Sequence, residues 1–251
     1  ITFHFKFEEA KKSWVSHLVN WVSACRPHPG ARNSSKVELN RFNSFFSIVN
    51  VTLDPETAHP RLILSEDQKS VRWEYSLQES PDGPERFDAD PCVLGCETFT
   101  SGRHCWVVDL TEGQYCAVGV SRESVPRKGA TSFNPDEGIW AVQQWGFKNR
   151  ALTSPPTPLN LPRVPKKILV LDYGGGQVAF YLAAQKNPIF AFQNASFCGE
   201  SIFPFFWVDA PLFGGGRNPS CASFWVSPSL TTCGGSEKET EILPKPTGFV
   251  E

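Results

Sequence analysis

Methionine is absent from this chain and tyrosine is scarce, four Tyr standing against twenty Phe and eight Trp. A sequence without Met that begins at Ile1 reads as a piece of something longer. Neither sign of charge is in excess: the formal net charge is −2 and the charged residues are scattered. That leaves no footprint for a phosphate backbone, so no nucleic-acid partner is expected. No apolar run approaches the roughly 18 residues needed to cross a bilayer, and no signal pattern opens the chain. The expectation is a soluble, cytoplasmic chain that does not itself insert into a membrane. Also missing are a Gly-x-Ser-x-Gly elbow and a Cys in a protease context. No catalytic residue is therefore expected.

What is present is an aromatic-rich chain of 251 residues, enough for a large core or for one domain with an appendage. Phe7, Ala10, Trp14, Leu18 and Val22 fall at near-helical spacing, with Glu8, Glu9, Lys11 and Lys12 on other faces. This predicts an amphipathic helix ending near Cys25. The stretch "RPHPGARNSSKVELN" then reads as a linker, so residues 1–47 form a helix and linker. From about Ile48 the texture changes to short β-prone runs, "RLILS", "SVRWEY", "HCWVVDL", "YCAVGVS", "GIWAVQQW", "KILVLDY", "QVAFYL" and "IFAFQN", separated by Pro, Gly, Asp and Ser. An all-β domain is expected. "LTSPPTPLNLPRVPKK" is too proline-rich for a central strand and belongs at an edge or in a loop. The residues after Leu230 read as a polar tail.

Four features invite a chemical reading. Gly174, Gly175 and Gly176 follow an apolar run, as in a phosphate-binding loop, but the residues after them alternate as a strand rather than opening a helix. A tight hairpin with positive φ angles at these glycines is the expectation. Cys92, Cys96, His104 and Cys105 carry zinc-type ligands, yet neighbours in a strand project to opposite faces, so no metal site and no cofactor are expected. Asp109, Asp172 and Asp209 sit near strand ends, where hydrogen bonding to turn amides is the simpler role. Of Trp106, Trp140, Trp145, Trp207 and Trp225, most should fill the core, with Trp145 and Trp207 the candidates for exposed anchors. The eight Cys are read as reduced thiols, and the sequons beginning at Asn33, Asn50 and Asn194 as chance occurrences.

Read in order, "VTLDPETAHPRLILSEDQKSVRW", "RFDADPCVLGCETFTSGRHCWVVDL", "YCAVGVSRESVPRKG", "ALTSPPTPL", "LDYGGGQVAFY" and "FPFFWV" closely resemble the PRY-SPRY domain, over about residues 48–229. That family occurs in tripartite-motif ubiquitin ligases and in butyrophilin tails. The resemblance implies a bent antiparallel β-sandwich of concanavalin-like jelly-roll type, with a PRY segment at 48–91, a SPRY domain at 92–229 and the helical appendage before them. It also implies a non-catalytic module that binds a protein or peptide through loops at one end. Carried over by position, the partner-binding residues are Tyr115, Cys116, Gln143, Trp145 and the segment Trp207 to Ala210, with Arg122 and Arg127 adding charge selection. The alternative, that these residues only finish the rim of the sandwich, stays open. Gly174 stands where the family usually has an acidic residue, and "CWVV" replaces "YWEV" at Cys105 to Val108. Three settings fit: the substrate-recognition end of a tripartite-motif ubiquitin ligase in innate immunity, the ligand-sensing tail of a butyrophilin-like receptor, or a free-standing SPRY adaptor. Oligomerisation is expected, if at all, through segments outside the SPRY domain.

Overall fold

Runs of β-branched and aromatic residues pack well on a pleated surface, and the Pro, Gly and Asp between them turn the chain. A computed structural model of the chain describes residues 47–110, 115–161, 166–182, 187–209 and 223–226. The expected N-terminal helix and its linker up to residue 46, and the tail from 230, lie outside the described residues. In chain order the strands are β1 (Ser47–Ile48), β2 (Leu62–Leu64), β3 (Ser70–Trp73), β4 (Cys92–Leu94), β5 (Arg103–Asp109), β6 (Tyr115–Arg122) and β7 (Ile139–Trp145). They continue as β8 (Lys148–Ala151), β9 (Thr157–Leu159), β10 (Lys166–Asp172), β11 (Gln177–Leu182), β12 (Phe190–Phe192), β13 (Ile202–Val208) and β14 (Ser223–Val226). One sheet has the order β12-β11-β10-β5-β14-β3-β2, with β1 beside β5; the other has the order β4-β13-β6-β7-β8-β9. All pairings are antiparallel except β1 with β5. The expected all-β sandwich is the fold observed.

Alternate residues of each central strand meet between the sheets. Trp106, Val108, Leu169, Leu171, Val178 and Phe180 come from one side and Val118, Val120, Trp140, Val142, Phe206 and Val208 from the other, all in one buried cluster. Val51, Leu53, Val71 and Trp73 join the same cluster, so the N-terminal β-segment shares this core rather than having its own. The proline-rich stretch supplies β9 at the edge of the six-stranded sheet, where Pro158 sits opposite Arg150. An edge tolerates a residue with no N–H to donate.

The three glycines turn the chain between β10 and β11, whose register closes at Asp172 and Gln177. Positive φ is confined to Gly176 (59°), which corrects the expectation for all three. At Gly175 the requirement is space, since a Cβ there would lie 2.8 Å from the Asp172 carboxylate, and at Gly174 it would meet nothing within 4 Å. Asp172 does serve a turn amide: its Oδ1 accepts from the Gly175 N–H at 2.8 Å while Oδ2 accepts from Arg103 Nε at 2.6 Å.

Residues 81–91 clasp the loop 123–131. The Asp88 and Asp90 carboxylates accept from the backbone N–H groups of Gly129 (2.8 Å) and Thr131 (2.9 Å), and Lys128 Nζ reaches Asp82 at 3.1 Å. Buried Arg86 pins the clasp, donating to the carbonyls of Pro81 (2.8 Å), Pro55 (2.9 Å) and Ala58 (2.6 Å). Buried His59 accepts the Arg61 N–H at Nδ1 (3.0 Å), so Nε2 carries the proton and donates to the Asp88 carbonyl at 3.1 Å. The ring is thereby fixed as one neutral tautomer.

Two measurements check this description. A Cβ at Gly119 would lie 2.1 Å from the Trp140 carbonyl oxygen and 2.6 Å from Ala141 Cα. Gly119→Ala is therefore expected to cost about 3 kcal/mol or more in denaturant titrations, whereas Gly174→Ala leaves the midpoint within about 0.5 kcal/mol. Burial holds the His59 pKa below its ordinary 6.5. Between the two values the unfolded chain binds more protons, so the stability contributed by the neutral ring is complete above pH 6.5 and is lost as pH falls below it. Thermal midpoints followed downward from neutral pH should fall less steeply in His59→Gln than in the unaltered chain; identical slopes would exclude this role.

Candidate functional site

In the six-stranded sheet β6 lies between β13 and β7, and register decides which side chains become neighbours. Tyr115 pairs with Trp145, and Ala117 pairs with both Gln143 and Trp207. Tyr115, Gln143, Trp145 and Trp207 therefore share one end of the sheet. They also share one face, because successive residues point to opposite sides. Trp145 and Trp207 pack in the second buried cluster with Ala117, Ala141, Phe205 and Phe133, on the face turned away from the eight-stranded sheet.

The rings form a continuous row. Tyr115 meets Trp145 edge to face at 5.3 Å, Trp145 stacks on Trp207 at 5.8 Å and 15°, and Phe133 sets its edge against Trp207 at 6.3 Å and Phe205 at 5.5 Å. Such offset and edge contacts hold each ring in one orientation. Trp207 is only 6% exposed, so it backs Trp145 rather than serving as the exposed anchor expected of it. Tyr115, Phe133 and Trp145 remain half-buried. Gln143 is buried, and its Oε1 accepts from Arg150 Nε at 2.6 Å across the β7–β8 pair.

Other expected members stand elsewhere. Cys116 follows Tyr115 directly, and so faces inward, 1% exposed in the cluster between the sheets. Burial pushes its thiol up to about 11, and its neighbourhood is interior: Lys167 Nζ donates to Gln144 Oε1 at 3.4 Å. Arg122 ends β6 at the far side of the sheet, about 23 Å from Tyr115 along the strand. Its guanidinium donates twice to the Ser196 carbonyl (3.1 and 2.7 Å) and lies 5.2 Å over the Trp140 ring. Arg127 lies 5.0 Å over the Phe87 ring and 3.8 Å from Glu85, with 9% of its side chain exposed, so it is built into the clasp. Ala210 lies outside the described residues. The zinc-type residues divide: Cys92 is in the six-stranded sheet, and His104 and Cys105 project from opposite faces of β5 in the other.

Reading the sequence missed Phe133, Phe147, Lys148 and Arg150. Phe147 is 96% exposed at the tip of the β7–β8 hairpin, whose turn Gly146 closes with a φ of 60°. Lys148 pairs with Trp145 and Arg150 with Gln143, which puts both exposed cations on the face that carries the rings. Among the described residues neither has a carboxylate within ion-pair distance. "WGFK" read as a turn between strands would have located them; the polar run "KNRA" lacks the alternation that announces a strand.

Residues 51–99 match the SPRY-associated domain, PRY, and residues 103–214 match the SPRY domain. The chain is 43% identical to butyrophilin subfamily 1 member A1 of Mus musculus over 85% of its length and 38% of that protein's. It is 44% identical to tripartite motif-containing protein 10 of Sus scrofa, over 72% of this chain and 37% of that one. The chain thus spans under two fifths of these relatives. The crystal structure of the TRIM65 PSpry domain superposes with a TM-score of 0.60 at 21% identity, covering 81% of this chain and 100% of that one. With the PRY and SPRY segments matched in order over more than half of the chain and the same fold in a solved structure, the chain belongs to the PRY-SPRY family.

Proposed function

We propose that the chain is a non-catalytic recognition module that grips a protein or peptide target on the outer face of the six-stranded sheet, at the end carrying Tyr115, Trp145 and Phe147. The observation that carries the reading is the row of stacked rings, whose half-exposed members adjoin an almost fully exposed Phe and two exposed cations. A ring held from behind buries a large area on binding with little left to lose in side-chain entropy. In a tripartite-motif ligase this module would choose the substrate, in the cytoplasm and in the service of innate immunity, while a RING elsewhere in that protein would transfer ubiquitin. The butyrophilin relatives, at 43% identity and above, favour a second reading of equal standing. There the module is the cytoplasmic sensor of a receptor.

Pull-down of a target with the chain, compared across variants, tests the common core of both readings. Trp145→Ala is expected to cost about 2 kcal/mol or more in binding, and Phe147→Ala to weaken binding with an unchanged thermal midpoint. Arg122→Ala should do the reverse, lowering the midpoint and sparing affinity, because it stands at the opposite end of β6. Loss of affinity in Arg122→Ala but not in Phe147→Ala would move the site to the other end. Incubation of the purified chain with E1, E2 and ubiquitin is expected to give no transfer, and conjugates formed by it alone would contradict the recognition-only reading.

A further inference from the structure

Strand β8 stands second from the border of the six-stranded sheet, and its register sets two exposed cations among the residues of the outer face. Lys148 lies directly opposite Trp145, and Arg150 lies between Gln143 on β7 and Pro158 on β9. Two residues apart on one strand, the cations stand about 7 Å from each other on the same side. Gln143 orients the second of them: it is buried, and its Oε1 accepts the Arg150 Nε–H at 2.6 Å. That bond uses one of the five N–H donors of the guanidinium and leaves both terminal nitrogens, the fork that matches a carboxylate. Among the described residues neither cation has a carboxylate within ion-pair distance. Asp209, whose N–H donates to the Tyr115 carbonyl at 3.0 Å, is three strands away from Lys148, about 14 Å. The row therefore runs from a cation, Lys148, across the rings of Trp145 and Tyr115 to an anion.

Resting on the reading that this end of the sheet grips a target, we propose that the target is an acidic segment in extended conformation, its carboxylates at alternate positions, i and i+2, over Lys148 and Arg150. Period is the first reason. An extended chain puts every second side chain on one side, about 7 Å apart, and so repeats the spacing of the strand beneath it. Arg150, its plane fixed by Gln143, takes one carboxylate through its fork, while the flexible stem of Lys148 adapts to the other. Position is the second reason. Phe147, 96% exposed at the hairpin tip beyond Lys148, meets the side chain at i−2, which is apolar in this proposal. The rings supply area to bury, and the cations supply selection among partners. A polyanion such as nucleic acid fits less well, because the formal net charge of the chain is −2 and its cations are scattered.

A phage-displayed library of random dodecapeptides, selected on the immobilised 251-residue chain, reads the preference without naming a target in advance. The expected consensus has Asp or Glu at alternate positions and an apolar residue two places before the first. Made as a fluorescein-labelled peptide, that consensus should bind about tenfold tighter than the same peptide with Gln for both acids, and about tenfold tighter than one with the two acids adjacent. Lys148→Glu and Arg150→Gln should each remove most of the advantage. Lys148→Glu replaces an exposed side chain and is expected to leave the thermal midpoint in place, so its loss of binding is separable from unfolding. Acidic peptides that bind Lys148→Glu as tightly as the unaltered chain would overturn the proposal. Selected peptides that lack acidic residues, yet are released by Trp145→Ala, would overturn it as well and leave the recognition surface standing. A selection that yields no peptide dependent on Trp145 would bring down both the proposal and the reading on which it rests.

Discussion

The pairing of β6 with β13 on one side and β7 on the other is the constraint on which both core and candidate site depend. One register assigns Val118, Val120, Trp140, Val142 and Phe206 to the space between the sheets and Tyr115, Gln143, Trp145 and Trp207 to the opposite face. A slip by one residue would exchange the two sets. Gly119 guards that register from within, because the backbone of β7 approaches so closely that no side chain fits. The rigidity of the ring row is thus inherited from the core: the strands that present it cannot shift without emptying the interior.

Much of the fold was legible because burial imposes a period on the sequence. "HCWVVDL", "YCAVGVS", "GIWAVQQW", "KILVLDY" and "QVAFYL" each carry enough β-branched and aromatic residues to announce a strand, and each is one. The strands passed over lacked that signal. β4 and β9 have three residues each, β8 is the polar "KNRA", and β13 is a continuous apolar run around Pro204 because both of its faces are covered. The site was less legible. Tyr115 and Cys116 are adjacent in one strand, so strand geometry alone forbids both from lining the same surface. Arg122 and Arg127 look available in sequence, and what occupies them, the Ser196 carbonyl and the Phe87 ring, comes from distant segments that no local pattern reveals.

The N-terminal β-segment is joined to the rest by two kinds of bond. Asp88 and Asp90 hold loop amides as carboxylates, and His59 holds its partners as a neutral ring. Arg86, by contrast, is a buried cation satisfied by three backbone carbonyls. The arrangement ties the loop 123–131 to the body of the fold without using the residues of the ring row.

At the border of the six-stranded sheet, Pro158 brings a consequence for life in a crowded cell. A border strand normally offers unsatisfied amides to any passing extended chain, and sheets recruit one another by that route. With a pyrrolidine in the middle of so short a border, the ladder has a missing rung, and a newcomer would find too few donors to align upon. A sheet that carries half-exposed rings at one end thus has a flank ill suited to edge-to-edge pairing.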